Sequence, residues 1–210
     1  MAKIRKKPKR VTVLKQEEAQ VLLEDLKVRS QQLYEIASIS LHCGLRAGEI
    51  FKLTWSCVDC DEGTIRVMDS KGKLNRTAHM TETVRKIFLS KKKAEPTSLV
   101  FKNRKGGMIN EVSNSFGRAV RDLGFNNGIS DRRQKVYFHT LRHTFASWLV
   151  QSGESLYTVK ELLGHSTMAM TERYSHLASK NLKDAVKKLE DSLKTSTKEK
   201  KAQPEAVQQN

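Results

Sequence analysis

No run of apolar residues in this 210-residue chain approaches the length of a membrane span, and the opening Met1-Ala2-Lys3-Ile4-Arg5-Lys6-Lys7-Pro8-Lys9-Arg10 lacks the apolar core of a secretory leader. Cysteine is scarce. Cys43, Cys57 and Cys60 are odd in number and too few for a disulfide framework, which fits a reducing cytoplasm. Cys57-Val58-Asp59-Cys60 has half the spacing of a zinc site, but no second Cys or His pair is arranged to complete it. No metal and no other cofactor is expected. No aromatic-rich strand motif of the kind that stacks unpaired RNA bases is present. Acidic residues are also short: 23 Asp and Glu stand against 39 Lys and Arg, a formal net charge of +16. That excess draws the chain to a polyanion. A membrane surface would want an apolar anchor, so nucleic acid is the expected partner.

What is present is mostly helical periodicity. Ala19, Leu22, Leu23 and Leu26 recur at helical spacing, as do Leu33, Ile36, Ala37 and Leu41. Val84-Ile87-Phe88, Val112-Phe116-Ala119-Val120-Leu123 and Leu141-Phe145-Trp148-Leu149 continue the pattern. Leu156-Val159-Leu163 follows Gly153 and is ended by Gly164. Between Trp55 and Met80 the period changes. Thr64 to Met68 reads as a strand, Gly72 as a turn, and Arg76 to Met80 as a returning strand. The fold class is therefore mainly α with a small antiparallel hairpin or three-stranded sheet. Residues 1–10 read as a basic flexible arm, 11–193 as one domain ending in an amphipathic helix at about 179–193, and 194–210 as a disordered tail.

A set of polar residues within this frame suits phosphodiester chemistry. Arg46 follows an apolar helix and Gly44, where a bend presents it; alone it would read as a partner of Glu49. His139 and Arg142 stand three apart at a helix start and share a face, and helix starts favour anions. Two guanidinium forks bind the non-bridging oxygens of a phosphate and stay charged. His143 is expected to point elsewhere, as a packed or capping histidine. His165 follows Gly164 and can carry a proton or donate to phosphate. Tyr174, nine residues on, offers an oxygen nucleophile that needs nearby positive charge or a base. Lys71, in Asp69-Ser70-Lys71-Gly72-Lys73 at the hairpin turn, can protonate a leaving 5′ oxygen, with Lys73 as a neighbour that spacing does not separate from it.

With these residues in place, the chain resembles the catalytic domain of the tyrosine recombinases, the phage-integrase type of site-specific DNA recombinase. The likeness runs from about Leu14 to Leu189. It rests on Gly44-Leu45-Arg46-Ala47-Gly48-Glu49-Ile50, the Lys71 hairpin, His139-Thr140-Leu141-Arg142-His143-Thr144, Leu163-Gly164-His165 and Tyr174. The resemblance implies strand cleavage and rejoining through a 3′-phosphotyrosyl link, without metal or ATP. In that scheme Tyr174 attacks, Arg46 and Arg142 hold the phosphate, and His139 accepts or relays the tyrosine proton. His165 donates to a phosphate oxygen, and Lys71 is the general acid. It also implies assembly with other protomers into a tetramer on DNA, with the final helix packing on a neighbour, and a cytoplasmic protein of a bacterium, phage or mobile element.

Two departures accompany the resemblance. An N-terminal DNA-clamping domain of about a hundred residues is expected ahead of such a domain, and the catalytic pattern here begins almost at once. Lys15 stands where a capping Thr is usual. Two alternatives use the same residues differently: a type IB topoisomerase, and a non-catalytic DNA-binding protein with Leu156 to Tyr174 as a helix-turn-helix around Gly164.

Overall fold

The computed structural model describes residues 11–68, 74–92 and 94–180, and beyond them 186–187, 189–191 and 193. The expected basic arm, the tail, and the hairpin tip with Lys71 and Lys73 lie outside the described residues. Helix α1 (Gln16–Arg29) starts at Lys15, whose side chain makes no capping bond; instead the Glu18 carboxylate accepts from the Lys15 N–H at 2.8 Å. Ala19, Leu22 and Leu26 turn inward, as their spacing predicts. In α2 (Gln31–Cys43) the Ser30 hydroxyl caps the start by accepting from the Leu33 N–H at 3.3 Å. Leu33, Ile36, Ala37, Ile39 and Leu41 are all buried, which makes α2 the central helix, packed on α1. Gly44, at φ 67°, ends it.

After the short α3 (Ala47–Phe51) comes an antiparallel sheet in the order β1 (Val58–Asp59), β2 (Thr64–Met68), β3 (Leu74–His79). Its register pairs Ile65 with Ala78 and Val67 with Arg76, and a bulge follows between Val67 and Met68. Ile65, Val67, Ala78 and Arg76 are buried, while Arg66, Thr77 and His79 are exposed. The alternation of a one-sided sheet thus holds, with one arginine among the inward residues.

Helix α4 (Glu82–Ser90) buries Val84, Ile87 and Phe88, and α5 (Asn114–Asp122) buries Phe116, Ala119 and Val120. Helix α6 (Phe138–Gln151) packs on α2; the Thr140 hydroxyl accepts from the Tyr137 N–H at 3.0 Å at its start. The incoming chain is pinned to α6 by Leu14, whose N–H donates to the Thr144 hydroxyl at 3.0 Å and whose carbonyl accepts from the Trp148 indole at 3.2 Å. Helix α7 (Leu156–Leu163) ends at Gly164, φ 62°.

Gly164 is not followed by a second α-helix. The chain continues as two 3₁₀ segments, Met168–Met170 and Glu172–Lys180, so the alternative helix-turn-helix around Gly164 has no recognition helix. A small apolar cluster of Ala146, Val150, Val159, Leu163 and Tyr174 closes this end of the domain. Of the expected final helix, Leu182 and Ala185 lie outside the described residues; Val186 and Leu189 are helical and exposed. No helix among the described residues is long and apolar enough to cross a membrane.

Candidate active site

Arg46, His139, Arg142, His165 and Tyr174 converge from four segments of the chain, and a single carboxylate ties the arginines together. Arg46 caps the start of α3, where Glu49, one turn on, reaches back: its Oε2 accepts from the Arg46 N–H at 2.7 Å and its Oε1 from Arg46 Nη1 at 2.9 Å. The bland reading of Arg46 as a partner of Glu49 is thus correct, and it describes a site rather than a surface pair. Arg76, inward on β3, holds both carboxylate oxygens with its own fork at 3.0 Å each. Arg142 Nη1 comes within 3.8 Å of Glu49 Oε2. Burial works to raise the Glu49 pKa, but the hydrogen bonds and charge of Arg76, the Arg46 N–H and Arg142 outweigh it and bring it down to about 2.

Arg142 is the floor of the site, 1% exposed, with Nη1 donating to the Gly44 carbonyl at 2.5 Å and Nη2 to the Leu163 carbonyl at 2.6 Å. The α2–α3 corner and the end of α7 are thereby fixed to one guanidinium. Burial and the neighbouring Arg46 lower its pKa to about 9, so it stays charged at neutral pH. Gly44 has no room for a side chain, since a Cβ there would lie 2.5 Å from the Phe145 ring. Arg46 is the accessible member, its side chain 37% exposed.

The histidines divide by partner. His139 is exposed at the rim, and its ring meets that of His143 edge-on, centroids 4.6 Å apart. Partial desolvation at the rim and the charges of Arg142, Arg46 and Arg173 lower the His139 pKa. His165 is buried and its Nδ1 pairs with the Thr171 hydroxyl at 2.9 Å. Burial and the surrounding arginines push its pKa down to about 4, so the ring is neutral near pH 7. Where Thr171 donates to Nδ1, the ring proton sits on Nε2, free to donate outward.

Tyr174 is 1% exposed within the apolar cluster, and its hydroxyl lies 2.6 Å from Nδ1 of His143. This corrects the expectation that His143 points elsewhere: it is the direct partner of the phenol, and His139 stands behind it. Successive residues of a helix differ in direction by about 100°, but the Tyr174 segment wraps over α6 and meets a face that spacing along α6 alone does not single out. Burial pushes the Tyr174 pKa up to about 12, against the pull of Arg173 and Arg142. The same burial, with like charge from His139 and the arginines, drops His143 to about 3.

Glu49, Arg76, His143 and Thr171 are thus the site residues that sequence reasoning did not assign. Alternation along β3 carries a signal for Arg76, which shares the inward face with Ala78. No group of three or more His, Cys, Asp or Glu residues among the described residues is gathered to hold a metal ion.

Residues 12–181 match the family model described as "Phage integrase family". A tyrosine recombinase of Pseudothermotoga lettingae is 31% identical over 176 residues, covering 82% of this chain and 58% of that protein. The chain therefore spans little more than half the length of that relative. The solved catalytic domain of bacteriophage HP1 integrase is 31% identical, with a TM-score of 0.63, over 84% of this chain and 94% of that one. The XerH site-specific recombinase bound to its difH substrate, in a pre-cleavage complex, is 26% identical with a TM-score of 0.60, over 87% of this chain and 55% of that one. The chain belongs to the phage integrase family.

Proposed function

We propose that this chain is the catalytic part of a tyrosine-type site-specific recombinase, cutting and rejoining double-stranded DNA through a phosphotyrosyl intermediate. The observation that carries the reading is the cluster itself: Arg46, Arg142 and His165 brought to one place, with Tyr174 one helix face away. Arg46 and Arg142 hold the non-bridging oxygens of the scissile phosphate, where charge grows most in the transition state. His165 donates to the same phosphate through Nε2. The Tyr174 oxygen forms a bond to phosphorus as the bond to the 5′ oxygen breaks. The phenol proton passes to the His143–His139 pair, and Lys71 supplies a proton to the leaving oxygen. The 5′ hydroxyl of another strand then reverses the step and releases the tyrosine.

Tyr174 as it stands is a resting nucleophile. Its oxygen is buried against His143 and its pKa is about 12, so attack requires the 172–180 segment to turn the ring out of the cluster. Assembly on DNA is the proposed trigger, with the 179–193 stretch on a neighbouring protomer; Val186 and Leu189 are apolar and exposed there. The similarity to recombinases and integrases favours strand exchange over a topoisomerase.

The test is covalent trapping. The protein is incubated with supercoiled and nicked DNA in EDTA without ATP, and the reaction is quenched with detergent. A protein–DNA adduct that is lost in Tyr174→Phe is expected. Tight binding with no adduct on nicked DNA would sink the enzyme reading and leave a DNA-binding protein.

A further inference from the structure

Arg76 is bonded to Glu49 on α3 and to the end of α7, the segments that carry Arg46 and lead into His165. Its side chain is 6% exposed and lies on the inward face of β3, opposite Val67. A buried cation is costly unless its donors are paired. Three of its five N–H donors are: Nη1 and Nη2 grip the two oxygens of Glu49, and Nε donates to the Leu162 carbonyl, all at 3.0 Å. The fork fixes the plane of the Glu49 carboxylate, and that carboxylate in turn holds the backbone and side chain of Arg46.

The second hold acts at the end of α7. The carbonyls of Leu162 and Leu163 are adjacent, and they are taken by Arg76 and Arg142 respectively. Two cations thus cap a helix C-terminus, where carbonyls lack partners and positive charge is favoured. His165 follows two residues later. Gly164 between them is shaped by the same arginine: a Cβ there would lie 2.7 Å from Arg76 Cδ and 3.0 Å from Nη1. The glycine before His165 therefore serves the passage of Arg76 as well as the turn.

We propose that Arg76 is a positioning residue, which sets Arg46, Arg142 and His165 at fixed distances from one another by holding Glu49 with its fork and α7 with its Nε. The inference rests on the recombinase reading above for its chemistry. Its consequence is specific: loss of Arg76 impairs the response to phosphate charge and not merely the fold. Lysine keeps the charge but has neither the fork nor the Nε donor.

The experiment compares the wild-type chain with Arg76→Gln and Arg76→Lys, each well below its own melting midpoint. Single-turnover adduct formation is measured on nicked DNA with an ordinary scissile phosphate and with a neutral methylphosphonate. On phosphate the expected loss is about 100-fold for Gln and about tenfold for Lys, the scale of a small misplacement of reacting groups. On methylphosphonate, which needs less from the arginines, the expected loss is at most about threefold. Equal losses on the two substrates, or none in the folded variants, would overturn the proposal.

A second arm needs no DNA. The Arg46 and Arg142 Nε–H signals and the His165 ring signals are followed by NMR in wild type and Arg76→Gln. Movement of all three residues' signals is expected, and unmoved signals overturn the positioning role. A wild-type chain that forms no adduct counts against the recombinase reading, while the NMR comparison still decides the role of Arg76.

Discussion

The hydroxyl of Tyr174 and Nδ1 of His143 are 2.6 Å apart, inside a domain where the phenol is otherwise surrounded by apolar side chains. Each is the polar partner of a group that burial has driven toward its neutral form. Removing one strands the other. His143→Ala should lower the unfolding free energy by about 2 kcal/mol, the scale of a buried hydroxyl left unpaired beside a small void. Denaturant melts of His143→Ala, Tyr174→Phe and the double variant would show a coupling of about 1 kcal/mol. Strict additivity would mean the contact contributes nothing.

The histidines make the fold sensitive to acid. The His143 and His165 pKa values are depressed to about 3 and about 4 from 6.5, so the unfolded chain binds protons that the native state refuses. Their contribution is complete above pH 6.5 and is lost as pH falls toward those folded values. Glu49, depressed from 4.5 to about 2, joins only below pH 4.5. The melting midpoint should therefore fall between pH 6.5 and 4.5. His143→Gln should flatten part of that slope, the rest belonging to His165 and to His42 and His139, which are lowered too. An unchanged slope would remove His143 as a source.

Gly164 and Gly48 should respond in opposite directions to alanine. Gly164→Ala meets a left-handed φ of 62° and Arg76 at 2.7 Å, so a loss of at least about 2 kcal/mol is expected. Gly48 lies in α3 with nothing within 4 Å of its notional Cβ, so Gly48→Ala should stabilise by about 0.5 kcal/mol. Thermal melts read both. Equal changes would contradict the geometry of Gly164.

The tautomer of His165 is tied to its pairing with the Thr171 hydroxyl. In wild type the ring should carry its proton on Nε2 near pH 7, readable in the two ring nitrogen shifts. Thr171→Ser keeps the hydroxyl and should preserve that pattern. Thr171→Val removes the partner at 2.9 Å, and adduct formation should fall by about tenfold. A wild-type ring protonated on Nδ1 would reverse the roles of the two groups.

The helices and the sheet were readable because burial follows period: Leu22 and Leu26 in α1, Phe116 and Val120 in α5, Ile65 and Val67 in β2 are inward as spaced. Arg46, Arg142, His165 and Tyr174 were readable as residue types in order, and the structure brings them together. What spacing does not convey is what a distant segment lays against a face. His143 became a site residue only because residues 172–180 fold back over α6, and Arg76 only because Glu49 lies opposite β3. Lys15 shows the converse: the missing cap cost no helix, because Glu18 binds the N–H from the other side. The turn with Lys71 lies outside the described residues, and its role stays with the proposed mechanism.

The shared carboxylate of Glu49 has one more consequence, which concerns total charge. Three guanidiniums face a single carboxylate, and the His143 and His165 rings beside them are neutral at pH 7, so the three arginines and Glu49 together hold two positive charges in excess. A phosphodiester in the ground state brings one negative charge. The five-coordinate phosphorus formed when a deprotonated tyrosine adds to it carries two. On the proposed reading this surplus, to which Arg173 and the histidine that takes the phenol proton add, answers the charge at the top of the barrier more than that of the bound DNA, and a neutral residue at Glu49 would raise it by one.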